Sequence, residues 1–501
     1  MGDQPIASPG EGVTSPPVDD AVKPYQIHVP TKHLDRTREK LELTRLPHEG
    51  KAADSAKFWD PRATVERLVD SWLDQYSWRD YESEMNATLP QFRTTVKVPG
   101  SEALVRLHCI HARSQKTGSI PLLLIPPFPF ANVSLMGLVK LFTAPEDQDA
   151  QAFHLVIPSF PGIGFSDPIP DDAPPIATTA HMFDTLMSRL SYPHYLVTNS
   201  SPSFMSPAQI DWKLAHHLAT HYPNSCAGVH LISPPMNPPR PQDGMAEWGK
   251  WKLAKFFHAP LWGYRSEDFE ALGQVSAASA MALAGSRTVA KKKTRGLRAV
   301  AAAAQLGLGR IVFHDPNFLA YALCDSPTGL IVFVLRALRA WSGSGDVPFG
   351  DKELINLVLL AWIPGPEYGL RYWARCAGGE DVKAEKKGLK PRVAVTVFMG
   401  DEKPDEKDGT EEYACPAWAN TKYSLVSTRR VRGKPGLLAW TRPEEIALGV
   451  RGLAKEALKA YSKLKAIVTA PLEGVVVADE GGTDPASVQE NPGAVVAAQA
   501  P

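Results

Sequence analysis

Several things are scarce in this chain, and each scarcity closes a line of explanation. Neither sign of charge dominates, since 54 basic side chains face 54 acidic ones over 501 residues. A balanced chain lacks the electrostatic footprint of a dedicated nucleic-acid binder and gives no whole-molecule attraction to an anionic membrane. Cysteine is rare. Cys109, Cys226, Cys324, Cys376 and Cys415 are odd in number, far apart and without a C-x-x-C, which argues against a disulfide framework and against a zinc site. They read as buried, reduced thiols. No run reaches the roughly 18 apolar residues that a membrane-crossing helix needs. The first residues, MGDQPIASPGEGVTSPPVDD, offer neither a basic n-region nor an apolar h-region. A cytoplasmic protein without a transmembrane anchor is expected. Histidine is absent after His314.

What is present is a large potential core, with 44 % hydrophobic residues. Residues 1–22 and 467–501 are small, polar and weakly periodic, and are expected to be disordered tails. From Tyr25 to about Phe92 the pattern is helical: Leu34, Leu41 and Leu43 fall near one face, and Val65, Leu68, Val69, Trp72 and Leu73 on another. Beyond this come aliphatic or β-branched runs spaced by helix-length segments: ALVRLHCIHA, PLLLIP, FHLVIPSFPG, HYLVTN, GVHLIS, VAVTVFMGD and SLVSTRRV. That alternation predicts an α/β fold with a mainly parallel sheet and helices on both faces. Between Ile232 and Arg392 lies a long Ala/Leu-rich stretch without strand runs, which reads as a helical cap over the sheet. The expected organisation is an N-terminal helical domain over 23–113 leading into the first strands, a core over 114–235, the cap over 236–390 and the end of the core over 391–466.

The chain resembles the microsomal-type epoxide hydrolases of the α/β-hydrolase fold. The resemblance covers about residues 24–460, through YQIHVPTKHLDRTREKLELTRLP, SWLDQYSWRDYESEMNATLPQF, LLLIPPFP, AFHLVIPSFPGIGFSDP, YALCDSPTGL in the cap and the closing TRPEEI. PSFPGIGFSDP and YALCDSPTGL are its most specific segments. The family chemistry that it implies turns apolar epoxides into diols without a cofactor or metal. An aspartate carboxylate opens the epoxide to an ester, and a histidine oriented by an acid activates the water that releases it. Two cap tyrosines protonate the epoxide oxygen. A carboxylate can attack carbon without losing a proton, whereas releasing the ester needs a base near neutral pH.

Carried across residue by residue, that resemblance meets a degenerate site. The nucleophile position, on the turn YLVTNSSPSFMSP, falls on Ser201, and Pro202 after it has no N–H for an oxyanion. The base position, a Gly-Gly-His-Phe element in the family, falls on Gly436 in RVRGKPGLLAWTRPEE, and no later histidine can replace it. Asp401 in VAVTVFMGD stands at the acid position, although DEKPDEKDGTEE also reads as a solvated acidic loop. The first cap tyrosine falls on Leu308 and the second on Trp373, with Tyr372 one residue before it as a core residue or a stand-in. The family's His-Gly-Trp-Pro loop is Pro126, Pro127, Phe128 and Pro129 here, where Phe128 and Pro129 could still line an apolar pocket with Trp373 and Leu308.

The other histidines offer no replacement. His216 and His217 are adjacent and point about 100° apart on a helix, while His217 and His221 have a metal-compatible i, i+4 spacing without the intervening glutamate of a zinc protease. His154 and His230 sit inside strand runs as core residues, and His111 and His314 lie near element ends. Two readings follow. One is a non-catalytic family member that binds an apolar small molecule. The other is an active hydrolase of epoxides or esters with a rebuilt site using Ser201 and Asp401. A weaker third, a scaffold, rests on the basic cluster at 290–298 and the acidic run at 401–412.

Overall fold

The computed structural model describes residues 20–48, 62–273, 315–342, 347–378, 390–400 and 413–464. Its sheet grows from the aliphatic runs. IPLLLI forms β4 (Ile120–Ile125), FHLVIP β5 (Phe153–Pro158), YLVTN β6 (Tyr195–Asn199) and CAGVHLI β7 (Cys226–Ile232), and every residue of these four strands is buried. Continuous apolar runs, rather than alternating ones, suit strands covered by helices on both faces. With β8 (Arg392–Phe398) and β9 (Ser424–Val431) they make a parallel ladder in the order β5-β4-β6-β7-β8-β9.

The opposite end of the sheet is antiparallel, with β1 (Lys23–Pro24), β2 (Gln91–Lys97) and β3 (Leu104–Ala112) preceding β5. Here the structure corrects the expectation of helix up to Phe92. QFRTTVK pairs with β3 from Gln91 opposite Ile110 to Lys97 opposite Leu104. Its β-branched threonines and valine favour a pleated strand.

Before β2 come α1 (Thr31–Glu42), α2 (Arg62–Asp74) and α3 (Trp78–Thr88). The α2 stripe is as expected, with Val65, Leu68, Val69 and Trp72 buried. Leu43 is not part of the α1 stripe: it follows the helix end and is 76 % exposed. The strap before α1 is held by side chains of α3. Asn86 exchanges two 2.8 Å hydrogen bonds with the backbone of Ile27, and Glu82 accepts from the N–H of Val29 at 2.6 Å.

The sheet is flanked by α4 (Met136–Thr143), α5 (Pro175–Arg189) and α6 (Ile210–His221). The cap helices are α7 (Met245–Phe257), α8 (Pro316–Asp325), α9 (Pro327–Ser342), α10 (Asp351–Trp362) and α11 (Pro366–Ala377). After β9 follow a short α12 (Leu438–Thr441) and α13 (Pro443–Ala460). Among the described residues no strand lies between Ile232 and Arg392, as a helical insertion requires. The N-terminal helices brace the cap. Tyr76 donates to Asn356 at 2.6 Å, Trp362 donates to Thr37 at 2.9 Å, and Arg67 pairs with Asp351. All five cysteines are free thiols, and four are buried; Cys324, on α8, is exposed, contrary to the expectation for it.

Candidate active site

At the end of β6 the chain must leave the sheet and enter α6, and polar side chains organise that passage. Asn199 clamps two ends together, accepting from the N–H of Ile232 at 3.0 Å and donating to the carbonyl of Ser201 at 2.6 Å. Ser200 donates to the carbonyl of Ile125 at 2.7 Å. Ser201 follows immediately after, in the loop and not on a tight elbow. The strained backbone is further on. Ala208 and Gln209 have φ of 51° and 57°, left-handed values that cost a non-glycine residue roughly 1 kcal/mol or more each. They turn the chain directly into the first turn of α6.

That turn carries Asp211, which the sequence reading passed over. Asp211 is fully buried. Its Oδ1 accepts from the backbone N–H of Phe128 at 3.2 Å, its Oδ2 accepts from the Ser201 hydroxyl, and its own N–H donates to Ser206 Oγ at 3.2 Å. Burial raises the carboxyl to about 7, against the opposing pull of these hydrogen bonds. The loop of Pro126, Pro127, Phe128 and Pro129 therefore keeps one N–H, and it points at a carboxyl group. The position at the helix N-terminus adds a partial positive charge that favours an anion there.

Above this point the side chains become apolar. The ring of Phe128 packs against Phe160 at 5.4 Å and Tyr372 at 5.6 Å between centroids. Pro129 begins the wall of a cavity between core loops and cap. Phe130, Ala131, Ile163, Leu330, Val334, Trp341, Leu357, Leu360, Leu370 and Trp373 are among its other lining residues, none charged or hydroxyl-bearing, and its free volume is about 70 Å³. Neither Phe128 nor Asp211 lines it. Of the residues expected in the pocket, Pro129 and Trp373 do so, Phe128 instead donates its backbone N–H to Asp211, and Leu308 lies outside the described residues.

Comparison with known proteins identifies this framework. Residues 22–135 match the family model for the epoxide hydrolase N terminus. A Stigmatella aurantiaca protein named "Putative epoxide hydrolase" is 26 % identical over 353 residues, covering 68 % of this chain and 66 % of that one, just under two thirds. Epoxide hydrolase 1 of Sus scrofa is 22 % identical over 460 residues, covering 86 % and 88 % of the two chains. The crystal structure of juvenile hormone epoxide hydrolase from the silkworm Bombyx mori has the same α/β-hydrolase fold. The two agree with a TM-score of 0.65 over 90 % of this chain and 96 % of that one, at 19 % identity. Residues 22–135 thus carry an epoxide hydrolase N-terminal domain, and most of the chain is similar to epoxide hydrolases.

Within this α/β-hydrolase fold the remaining positions singled out by the resemblance stand as follows. Gly436 stands after β9 with φ of 56°, its nearest neighbours for an added Cβ being Thr441 Oγ1 at 3.5 Å and the carbonyl of Ser342 at 3.7 Å. Asp401 and the acidic run lie outside the described residues, as do His314 and the basic cluster at 290–298. Gly400, just before Asp401, bridges to Gly433, three residues before Gly436. Tyr372 is buried on α11, and its hydroxyl meets Thr179 at 2.8 Å and donates to the carbonyl of Pro175 at 3.3 Å.

The histidines have structural partners. His230 spans β6, β7 and β8 by bonding Thr198 and Thr396 at 2.9 and 2.8 Å, and burial pushes it down to about 3. His154 accepts from the N–H of Ser114 at 3.2 Å, and His111 meets the Tyr192 hydroxyl at 2.9 Å. His216 bonds Tyr423 at 2.8 Å, whereas His217 stacks on His221, which separates the adjacent pair as their spacing predicted. Among the described residues no group of three His, Cys, Asp or Glu is placed to hold a metal ion.

Proposed function

We propose that this chain is a member of the epoxide hydrolase family that binds an apolar small molecule between cap and core and turns over no ordinary epoxide. The cavity carries this reading, because it is lined wholly by apolar side chains and the buried Asp211 is not among them. Family descent supplies the ligand class. Asp211, rather than Ser201, takes the place of the attacking carboxylate: it follows the strained turn, starts the helix and faces the Phe128 N–H. Gly436 at the base position offers no group to activate water, so an ester formed on Asp211 would persist.

An engineered apolar cavity of roughly 150 Å³ takes up benzene, so 70 Å³ implies that the cap yields when a ligand enters. Trp341 and Trp373 line the space and report on it. Titration with stilbene and with stilbene oxide should quench tryptophan fluorescence saturably and to a similar extent. Ala337→Trp should block the response by filling the cavity. A linear, non-saturating response to both compounds would overturn the reading.

One observation favours a second reading, a serine esterase. The Ser201 hydroxyl donates to a carboxyl held near neutrality, which is the arrangement of a nucleophile and its general base. Hydrolysis of activated esters, lost in both Ser201→Ala and Asp211→Asn, would establish it.

A further inference from the structure

The far end of α6 carries two histidines that the candidate active site does not use. Leu214, Ala215, Leu218 and Ala219 form the buried side of the helix, so His217 and His221 fall on its outer side, the first half-buried and the second exposed. Residues four apart on a helix are neighbours, and the two imidazoles lie parallel within 9° with centroids 3.9 Å apart. His221 Nδ1 is 3.3 Å from the carbonyl of His217 and 2.9 Å from the Thr220 hydroxyl, which itself donates to the carbonyl of His216. A carbonyl only accepts, so Nδ1 carries the proton and the outer Nε2 keeps its lone pair. That is how a metal-binding histidine is set, with its second N–H fixed by a backbone carbonyl. His217 is neutral at pH 7 as well, because burial and the neighbouring His221 and His216 push it down to about 4. The last turn of α6 adds the negative end of the helix dipole, which favours a cation.

We propose that His217 and His221 chelate a divalent cation of the zinc class through their Nε2 atoms, with water at the remaining coordination positions. Zinc stands about 2 Å from an imidazole nitrogen, so two adjacent ligands are about 3 Å apart, and a small rotation of the stacked rings supplies that spacing. Imidazole suits zinc, copper and nickel, whereas magnesium and calcium take oxygen ligands. Two protein ligands make an exchangeable surface site, since a structural zinc is held by four. The neighbouring His216 is engaged elsewhere, bonded to Tyr423 and stacked on Trp212. At a rise of about 1.5 Å per residue the pair lies roughly 9–15 Å along the helix from Asp211, so the ion binds apart from the candidate active site.

The test is calorimetric titration of the full chain with zinc chloride and with magnesium chloride, in a Cys324→Ser background that removes the exposed thiol as a competing ligand. Zinc should bind saturably at this site and magnesium should not bind. His217→Gln and His221→Gln should each weaken zinc binding at least about tenfold, since even the loss of a group that only orients a ligand costs that much. His28→Gln, at an exposed histidine of the N-terminal strap, should leave binding unchanged. The metal-free melting temperatures of these variants should match the parent, because the substituted side chains lie on the surface. Zinc affinity retained by His217→Gln or His221→Gln would place the ion elsewhere and overturn the proposal. No saturable zinc uptake, or an equal response to magnesium, would overturn it as well.

Discussion

The hydroxyl of Ser201 donates to the carboxyl of Asp211, ten residues further along the chain and wholly buried beneath the Phe128 N–H. This contact ties the loop after β6 to the start of α6. It also places a carboxyl group where water cannot solvate its charge.

That burial has a pH signature. A carboxyl raised to about 7 in the folded protein, against an ordinary value near 3.8, favours the fold fully below about 4. The contribution is then lost as pH rises through 7, at up to roughly 1.4 kcal/mol per pH unit. Asp211→Asn keeps an acceptor for Phe128 and cannot ionise. Urea unfolding from pH 5 to 8 should show the variant gaining on the parent as pH rises, and parallel curves would refute the assignment.

The placement of Asp211 shows what was legible in the sequence. The aliphatic or β-branched runs predicted β3 to β9, most plainly β4 to β8, because parallel strands buried on both faces must be continuously apolar, and the stretch after Ile232 reads as strandless for the same reason. The site was harder to read. Counting from Tyr195 put the turn at Ser201, but the loop extends through Met205 and Pro207 before the strained pair at Ala208 and Gln209, and backbone strain has no fixed signature once glycine is absent. An Asp-Trp pair at the head of IDWKLAHHLATHYP was the available signal, since an acidic residue in the first turn of a helix following a strand is placed for anion chemistry. Strand β2 was missed because its threonines and arginine look polar; its pairing with β3, not its own hydrophobicity, makes it a strand. Leu43 misled in the opposite sense, because periodicity does not report where a helix stops.

His230 gives the second prediction. Burial lowers it to about 3, so the folded state holds it neutral while the unfolded chain protonates near 6.5. Stability present above pH 6.5 is lost as pH falls toward 3. His230→Gln should cost about 1–3 kcal/mol at pH 7.5 by disturbing the bonds to Thr198 and Thr396. The deficit should shrink at pH 5, where the parent has already lost stability. A deficit independent of pH would contradict the assignment.

The same imidazole limits its neighbour on α13. A Cβ at Gly449 would stand 2.1 Å from His230 Nε2 and 2.7 Å from Thr396 Oγ1. Gly449→Ala should therefore lose about 2–4 kcal/mol despite the better helix propensity of alanine, read as a lower denaturant midpoint. A neutral or stabilising effect would mean that α13 packs further from the sheet.

The fourth prediction concerns the pairing of Asp268 with Arg430 of β9. Both side chains are almost inaccessible, and Asp268 also accepts from Tyr413 and Cys415. Arg430→Met should cost roughly 3–5 kcal/mol, because it leaves a carboxylate buried with only weaker donors. Asp268→Asn/Arg430→Met should recover part of that loss. A double variant no better than the single one would show that the pair is not coupled.

The central claim is that the fold of an epoxide hydrolase is kept here without its turnover. The most direct measurement is chromatographic quantification of diol from stilbene oxide, comparing purified protein with Asp211→Asn, Ser201→Ala and Gly436→His. The account predicts no diol above the buffer blank for the parent and the first two variants, with any gain confined to Gly436→His. Parent turnover that disappears in Asp211→Asn would contradict it and make this chain a working hydrolase.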